Sequence, residues 1–256
     1  NSNIDIDKAG WSFDNTYAKL PDDLLVKQAP IPVKSPELIV LNKDLSKDLN
    51  LDFTKIREEN LSQLFSGNLL PTGSESIAQA YAGHQFGHFT MLGDGRAVLM
   101  GEHVLKNGDR FDIQFKGSGK TPFSRSGDGR AALGPMLREY IVSEAMHKLG
   151  VATTRSLAVV KTGENVIRET HLPGAVLTRI AASHIRIGTF QYIAATQKEQ
   201  NLKILFDYVI NRHYPHIKNS KNKALDLIKT LMNVQINLVI DWMRIGFIHG
   251  VMNTDN

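Results

Sequence analysis

Residues 97–116 read Ala-Val-Leu-Met-Gly-Glu-His-Val-Leu-Lys-Asn-Gly-Asp-Arg-Phe-Asp-Ile-Gln-Phe-Lys and predict two antiparallel strands. The apolar run at 97–105 is typical of a buried strand, and 110–116 alternates strictly between apolar and polar residues. The dipeptide Asn107-Gly108 between them favours a hairpin turn, because both residues accept positive φ angles. The second strand then has an apolar face (Phe111, Ile113, Phe115) and a polar face (Asp112, Gln114, Lys116).

The segments after this hairpin predict further strands with one embedded helix, and then helices alone. A helix is expected over 131–149, where apolar residues recur at helical spacing and Gly150 follows the last turn. A second hairpin, with its turn around Gly163, and a strand at 174–180 come next. Further helices are predicted at 190–197, 202–214 and 223–247, and a short one before the hairpin, at 76–81.

This order of elements predicts an α+β fold in two lobes that join near residues 179–183. Residues 1–182 would form an arm followed by an antiparallel sheet lobe, and 183–256 would belong to a helical lobe. The arm contains several aromatic residues and prolines, which predicts an irregular segment that packs on the surface of the sheet domain. The helix at 223–247 is apolar on nearly all sides towards its end, which predicts burial inside the helical lobe.

Composition excludes several classes of protein. The 256 residues contain no cysteine, which excludes disulfides, cysteine-ligated zinc, iron–sulfur clusters and thiol nucleophiles within the chain. A hydrophobic fraction of 42% and a charged fraction of 22% are typical of a globular protein. The net charge of +4 is too small to indicate a nucleic-acid partner, and no apolar run is long enough for a membrane span. We expect a cytoplasmic protein.

Two nearly identical segments, Gly93-Asp94-Gly95-Arg96 and Gly127-Asp128-Gly129-Arg130, are candidates for phosphate binding. Glycine lets backbone amides approach a phosphate closely, and an arginine fork matches its oxygens. For one copy alone, a tight turn with a solvated arginine is the simpler alternative. Two copies on either side of Lys116 favour a nucleotide site.

Two other motifs do not carry the function that their letters suggest. The run Lys-Gly-Ser-Gly-Lys-Thr at 116–121 lacks the first glycine of a P-loop, since that position is Gln114, inside a predicted strand. His84 and His88 have the spacing of a helical metal site, but two glycines in the same segment disfavour a helix. We expect these histidines to serve packing or hydrogen bonding.

Lys116 and Glu139 are candidates for an ion pair at the nucleotide. A strand lysine held by a helix glutamate is the arrangement that protein kinases use for ATP phosphates. The alternative is a solvated lysine, with Glu139 paired to a neighbouring arginine. A cationic pocket for a polyphosphate would combine Lys116 with Lys120, Arg125, Arg130, Arg179 and Arg186, although each could equally be a surface residue.

The chain ends in His-Gly-Val-Met-Asn-Thr-Asp-Asn at 249–256, directly after the long predicted helix. A kinase catalytic loop also follows such a helix and begins with histidine, in the pattern H-R-D-x-x-x-x-N. Here Val251 occupies the position of the kinase aspartate, and Asp255 directly precedes Asn256. A plain turn rich in Asn and Asp is the alternative.

Taken together, these segments resemble the selenoprotein O (SelO) family. The match covers nearly the whole chain, and its motifs are long. It is carried by residues 13–17, 81–87, 93–96, 115–130, 178–181 and 249–256.

The resemblance implies a protein-kinase-like fold that binds ATP flipped relative to kinases and transfers AMP to protein hydroxyl groups of Ser, Thr or Tyr. It implies ATP and Mg²⁺ or Mn²⁺ as cofactors and protein substrates as partners. By motif, it assigns nucleotide contacts to Gly93, Gly95, Arg96, Asp128 and Gly129, phosphate contacts to Lys116, Arg179 and Arg186, orientation of Lys116 to Glu139, the general base to Asp255 and a metal ligand to Asn256.

The same resemblance implies that family members continue well beyond the position of Asn256, starting with a segment that holds the second metal ligand. We therefore expect this chain to represent the N-terminal half of such a protein, either as a fragment or in an inactive form. Two alternatives stay open: manganese-dependent transfer of UMP, and a nucleotide-binding fragment without catalytic activity.

Overall fold

Every strand pairing within residues 2–256, the part that this computed structural model describes, is antiparallel. Side chains are described from Asp5 onward, so residue 1 of the predicted arm lies outside the described part. The strands are β1 (Leu25–Lys27), β2 (Glu37–Leu41), β3 (Ile77–Gln79), β4 (Ala82–Gln85), β5 (His88–Met91), β6 (Ala97–Val104), β7 (Arg110–Lys116), β8 (Ala131–Ala132), β9 (Arg155–Ile167) and β10 (His171–Ala181).

Helices follow the strands in the second half of the chain, which makes the fold α+β. Short single turns at Tyr17–Lys19, Asp22–Leu24 and Pro215–Ile217 connect longer elements. The helices are α1 (Ser2–Asp7), α2 (Lys43–Asp48), α3 (Glu58–Ser66), α4 (Leu133–Lys148), α5 (Ile187–Ala195), α6 (Glu199–His213) and α7 (Lys223–Arg244). No helix in residues 2–256 combines the length and hydropathy that a bilayer crossing needs.

The main sheet has the strand order β1-β3-β6-β7-β10-β9-β2. The short strand β8 pairs with Gly174 and Ala175 in the first half of β10. The predicted hairpin is confirmed as β6 and β7, which lie next to each other at the centre of this order. Its turn contains Gly108 at φ +92°, a left-handed conformation that favours glycine. A separate two-stranded hairpin, β4–β5, comes between β3 and β6 along the chain.

Both faces of the sheet are covered, so even the polar face of β7 is buried. On one face Ile113 and Phe115 pack against Phe65 of α3 in the largest apolar cluster. On the other face α4 covers one side, and the N-terminal arm with α5 and α6 covers another. Asp112 and Gln114 lie on this second face and are 1% and 0% exposed. Their polar groups must therefore find partners within the protein.

A buried ionic network supplies some of these partners and joins the sheet to α6. The Arg212 guanidinium donates to Asp112 Oδ1 (2.8 Å) and to Glu102 Oε1 (3.1 Å), both on the central hairpin. It also donates to the Ala182 carbonyl (2.7 Å), and the His184 amide donates to Asp112 Oδ2 (2.9 Å). Because buried charges are stable only when paired, this network fixes the connection between β10 and α5 against the sheet.

Two sequence predictions about the sheet are wrong. Residues 76–81 contain strand β3 and no helix, because pairing with β1 and β6 outweighs local preference. Gly163 does not mark a hairpin turn: it has φ +75° within the continuous strand β9, next to a shift in register, and the turn comes after Ile167. A side chain on Gly163 would overlap Ser35, whose Cβ would lie 2.6 Å away.

The predicted burial of the last helix is also wrong for the described residues. In α7 Leu227 packs against Ile210 and Ile217, but Met232 and Ile240 are 57% and 56% exposed. The elements present within residues 2–256 cover one side of the first turns of α7 and leave most of its apolar residues at the surface.

Candidate functional site

The end of β7 brings together an acid and two cations. Lys116 is the last residue of β7. On the neighbouring strand β10, Arg179 pairs with Gln114, which precedes Lys116 by two residues in β7. Glu139 projects from α4 between the two cations. Its Oε2 accepts from Lys116 Nζ at 2.6 Å and its Oε1 from Arg179 Nε at 2.5 Å. The predicted lysine–glutamate pair is thus present, together with the arginine partner that was its alternative.

The protonation states of Lys116 and Glu139 depend on their burial and on the charges next to them. Burial lowers the pKa of Lys116 to about 8, and the nearby Arg179 acts in the same direction. Burial opposes ionisation of Glu139, but Arg179 and Lys116 hold the pKa of Glu139 at about 2. At neutral pH the triplet therefore carries one net positive charge, which favours an anionic ligand.

The first glycine segment is folded around a buried aspartate. The Asp94 amide donates to the Gln79 carbonyl (2.9 Å), Asp94 Oδ2 accepts from the Gln79 amide (3.0 Å), and Thr121 Oγ1 donates to the Asp94 carbonyl (2.6 Å). Gly93, at φ +148°, lies so close to the Phe123 ring that a Cβ would come within 2.6 Å of it. These contacts turn the glycine backbone towards the neighbouring cleft and leave Asp94 with a structural role.

The second glycine segment is held by an arginine from the β9–β10 turn. Asp128 accepts from Arg168 at both oxygens (2.7 and 3.2 Å) and from the Arg130 amide (2.9 Å). Gly129 has φ +69°, and a side chain there would overlap the backbone of Gly119. Glycine is required at this position by both conformation and space.

Both glycine segments line one cleft of about 620 Å³, a volume within the range of small-molecule sites. Of the predicted site residues, the cleft wall includes Gly93, Gly95, Arg96, Asp128, Gly129 and Asp255. Arg125 and Arg130 of the predicted cationic pocket also lie in this wall, whereas Lys120 does not. The predicted residues outside the wall are Lys116, Glu139, Arg179, Arg186 and Asn256.

The final loop is anchored so that Asp255 reaches the cleft wall. The Gly188 amide at the start of α5 donates to the Thr254 carbonyl (2.7 Å), and Arg186 donates to the Asp255 carbonyl. The Arg186 guanidinium lies 4.2 Å from the centre of the Tyr81 ring. Within residues 2–256, the buried Oδ1 of Asp255 and Nε of Arg186 have no hydrogen-bond partner. One acceptor on Asp255 and one donor on Arg186 thus have no partner in the described part of the chain.

Asn256 and Asp255 are suited in kind to a divalent cation. Asn256 Nδ2 donates to the Val251 carbonyl (2.7 Å), which leaves the amide oxygen free, and Asp255 Oδ1 has no partner within residues 2–256. Both are hard oxygen donors, as Mg²⁺ prefers. Residues 2–256 contain no group of three His, Cys, Asp or Glu side chains that could hold a metal ion. His84 and His88 lie on opposite strands of the β4–β5 hairpin.

Sequence reasoning gave no individual role to eight residues of the cleft wall. They are Tyr81, Gln85, Leu92, Phe123, Ser124, Ser126, Ile167 and Arg168. Phe123 lies between the two glycine segments in the sequence, close before the second one. This position could have identified it as a candidate residue of the cleft. Ile167 and Arg168 were hidden by the wrong hairpin around Gly163, which placed the β9–β10 turn too early.

The profile of the family described as "Protein adenylyltransferase SelO" matches residues 9–256. A protein named protein nucleotidyltransferase YdiU from Pelagibacter ubique is 68% identical over 96% of this chain and 51% of its own length. Proteins of the same name from Nitrosococcus oceani and Geobacillus kaustophilus are 62% and 59% identical, over 96% and 97% of this chain and 50% and 51% of theirs. The chain spans about half the length of these curated relatives. It belongs to the SelO family of protein adenylyltransferases.

Proposed function

We propose that the protein containing this chain transfers AMP from ATP to hydroxyl groups of other proteins. In this proposal the chain holds most of the ATP site, on a kinase-like sheet lobe (residues 1–182) and the start of a helical lobe (183–256). The observation that carries the proposal is Glu139 bridging Lys116 and Arg179, near a cleft whose wall includes Asp255. The strand lysine and helix glutamate match the cradle that kinases use for ATP phosphates.

The residue types suit attack at the α-phosphorus. The acceptor oxygen would form a bond to this phosphorus while the bond to the bridging oxygen breaks, and pyrophosphate would leave with the electron pair. Lys116 and Arg179 would neutralise charge on the phosphates, and the free Nε–H of Arg186 offers a further donor. Asp255, with its unpartnered Oδ1, would orient the acceptor hydroxyl and take its proton.

A magnesium or manganese ion, when bound, would stabilise negative charge on the phosphates. Asn256 would supply an oxygen ligand to it from this chain. The glycine segments at the cleft would contact the rest of the nucleotide through Gly93, Gly95, Arg96, Asp128 and Gly129.

The Asp255→Ala variant of the complete gene product tests this assignment. Because a positioned general base contributes about 10²–10⁴-fold, we expect transfer of AMP to fall at least about 100-fold. ATP affinity should stay within about threefold of the unchanged protein, since Lys116 and the arginines remain. Intact-protein mass spectrometry measures the transfer, and titration calorimetry measures ATP affinity.

Asp207→Ala is the matched control, because Asp207 is a partly exposed acid on α6 that pairs only with Lys203 one turn away in the described chain. This variant should keep both transfer and ATP affinity. Undiminished transfer in Asp255→Ala would contradict the assigned role, and so would an equal loss of transfer and ATP affinity. Parallel reactions with UTP and Mn²⁺ compare AMP with UMP transfer.

A further inference from the structure

We propose that Arg168 is a positioning residue for the nucleobase: it holds Asp128 as a fixed acceptor, and this pair selects a base with an exocyclic amino group, as in adenine. The inference rests on the nucleotide site proposed above. It concerns a residue of the β9–β10 turn, outside the segments that carry the family motifs. Arg168 and Asp128 both lie in the wall of the 620 Å³ cleft.

The geometry gives Asp128 one orientation. Arg168 Nη1 donates to Asp128 Oδ2 at 2.7 Å, and Nη2 donates to Oδ1 at 3.2 Å, so that the two planar groups face each other as a fork. The Arg130 amide donates to the same Oδ1 at 2.9 Å. A carboxylate held by three donors from two segments has little rotational freedom left.

Arg168 is itself fixed to the backbone on both sides of the cleft wall. Its Nη1 donates to the Ile167 carbonyl (2.7 Å) and its Nη2 to the Arg130 carbonyl (3.0 Å). An ordinary exposed ion pair has no such anchors and adds little to stability. The extra bonds tie the β9–β10 turn to the second glycine segment, and this is the arrangement expected of a pair that orients a ligand group.

The charge state of Asp128 then determines what it recognises. Hydrogen bonds from Arg168 hold the pKa of Asp128 below its ordinary value, so the group is ionised and can only accept hydrogen bonds. Oδ1 already accepts two hydrogen bonds, whereas Oδ2 accepts one and has a second lone pair free for a ligand. An amino group donates to such an oxygen, whereas a carbonyl oxygen at the same position of the base would be repelled.

The surrounding wall suits the flat part of a base. Phe123 and the 68% exposed Ile167 present apolar surface to the same cleft, next to Gly93 and Gly95. Apolar walls with few polar groups are typical of small-molecule pockets, in which the polar groups supply the specificity. The acids in this wall are Asp128 and Asp255. Because Asp255 is assigned above to the proton transfer, Asp128 is the acid that remains to recognise the base.

The test compares ATP with inosine triphosphate, a purine nucleotide of the same shape that has a carbonyl oxygen where adenine has its amino group. Titration calorimetry on the complete gene product measures the affinity of both for the unchanged protein and for Arg168→Ala, Arg168→Lys and Asp128→Asn. Glu169→Ala is the matched control, because Glu169 lies on the same turn and has no side-chain partner within residues 2–256. Thermal unfolding checks that each variant is folded.

We expect the unchanged protein to bind ATP at least about tenfold more tightly than inosine triphosphate, as one bond to a charged acceptor allows. Asp128→Asn and Arg168→Ala should each reduce this ratio at least about threefold, mainly by weakening ATP, while Arg168→Lys retains part of it. An unchanged ratio in folded Arg168→Ala, or an equal loss for both nucleotides, would overturn the inference. Failure of the unchanged protein to bind either nucleotide would instead contradict the proposed function itself.

Discussion

Lys116 is buried at the end of a strand, and that position sets its charge. Burial and the nearby Arg179 lower its pKa to about 8, although Glu139 lies 2.6 Å away and acts in the opposite direction. The lysine is therefore protonated at neutral pH and neutral in moderately alkaline solution. An anionic ligand would stabilise the protonated form, so binding of the ligand and binding of the proton are linked.

ATP affinity should consequently fall as the pH rises through about 8. Between pH 7 and pH 9.5 we expect a loss of about tenfold, since one pKa unit corresponds to a tenfold change. In Lys116→Arg the guanidinium stays charged over this range, so that part of the pH dependence should disappear. Titration calorimetry at several pH values measures both proteins.

Lys120→Ala is the control for this prediction, because Lys120 is exposed and lies outside the cleft wall. It should keep the pH dependence of the unchanged protein. If Lys116→Arg shows the same decline in affinity between pH 7 and pH 9.5 as the unchanged protein, another group titrates and the assignment to Lys116 is wrong.

The β4–β5 hairpin supports the final loop at close range. Asn253 Nδ2 donates to the His84 carbonyl (2.7 Å), and the Asp255 side chain lies directly against Gly83. A Cβ on Gly83 would lie 2.6 Å from Asp255 Cβ, closer than real Cβ atoms approach. The absence of a side chain at Gly83 is thus what allows Asp255 to occupy its place.

In Gly83→Ala, the added methyl group should push Asp255 away from the cleft wall. Because the atoms that must move belong to one short side chain of a loop, we expect a loss of stability below about 1.5 kcal/mol. The rate of AMP transfer should fall at least about tenfold, since small displacements of a catalytic group are costly. Denaturant unfolding and a transfer assay on the same preparation measure the two effects.

Gly134→Ala provides the comparison, because Gly134 lies in α4 with open space around the position of a Cβ. That change should keep transfer and leave stability equal or slightly higher, as alanine favours helix. Full transfer activity in Gly83→Ala would show that Asp255 does not need its present position.

On the scale of the whole molecule, the site depends on how the sheet meets the helices. Lys116 and Arg179 come from the sheet and Glu139 from α4. Arg186 ends the connection to α5, and Asp255 lies in the final loop after α7. The buried network around Arg212 fixes that connection by bonds to the central hairpin and to the Ala182 carbonyl. The two halves of the candidate site are therefore held in one arrangement by charges that are buried and paired.

Local patterns predicted the parts of the fold that local interactions determine. The β6–β7 hairpin follows from strict alternation around Asn107-Gly108, and α4 from its apolar spacing and the glycine at its end. The same patterns failed where distant contacts decide. Strand β3 is buried by its neighbours, and Gly163 is required by the approach of Ser35, which is far away in sequence. Neither partner can be identified from the segment alone.

The candidate site could be predicted in residue type but not in its contacts. We could recognise the glycine segments from their repeated Gly-Asp-Gly-Arg pattern. Lys116 and Glu139 were recognisable as a lysine at the end of a predicted strand and a glutamate in the predicted helix that follows. The bond from Arg168 to Asp128 was not, because it joins a turn and a loop that are 40 residues apart. The exposed apolar surface of α7 was also unpredictable, since amphipathic spacing does not show which elements cover a helix.

The most direct test is to incubate the complete gene product and an acceptor protein with ATP that is labelled at either the α- or the γ-phosphorus. We predict label on the acceptor protein from α-labelled ATP only, because AMP is transferred and pyrophosphate leaves. The Asp255→Ala variant should give no label from either form. Label on the protein from γ-labelled ATP alone would contradict the account and indicate a kinase.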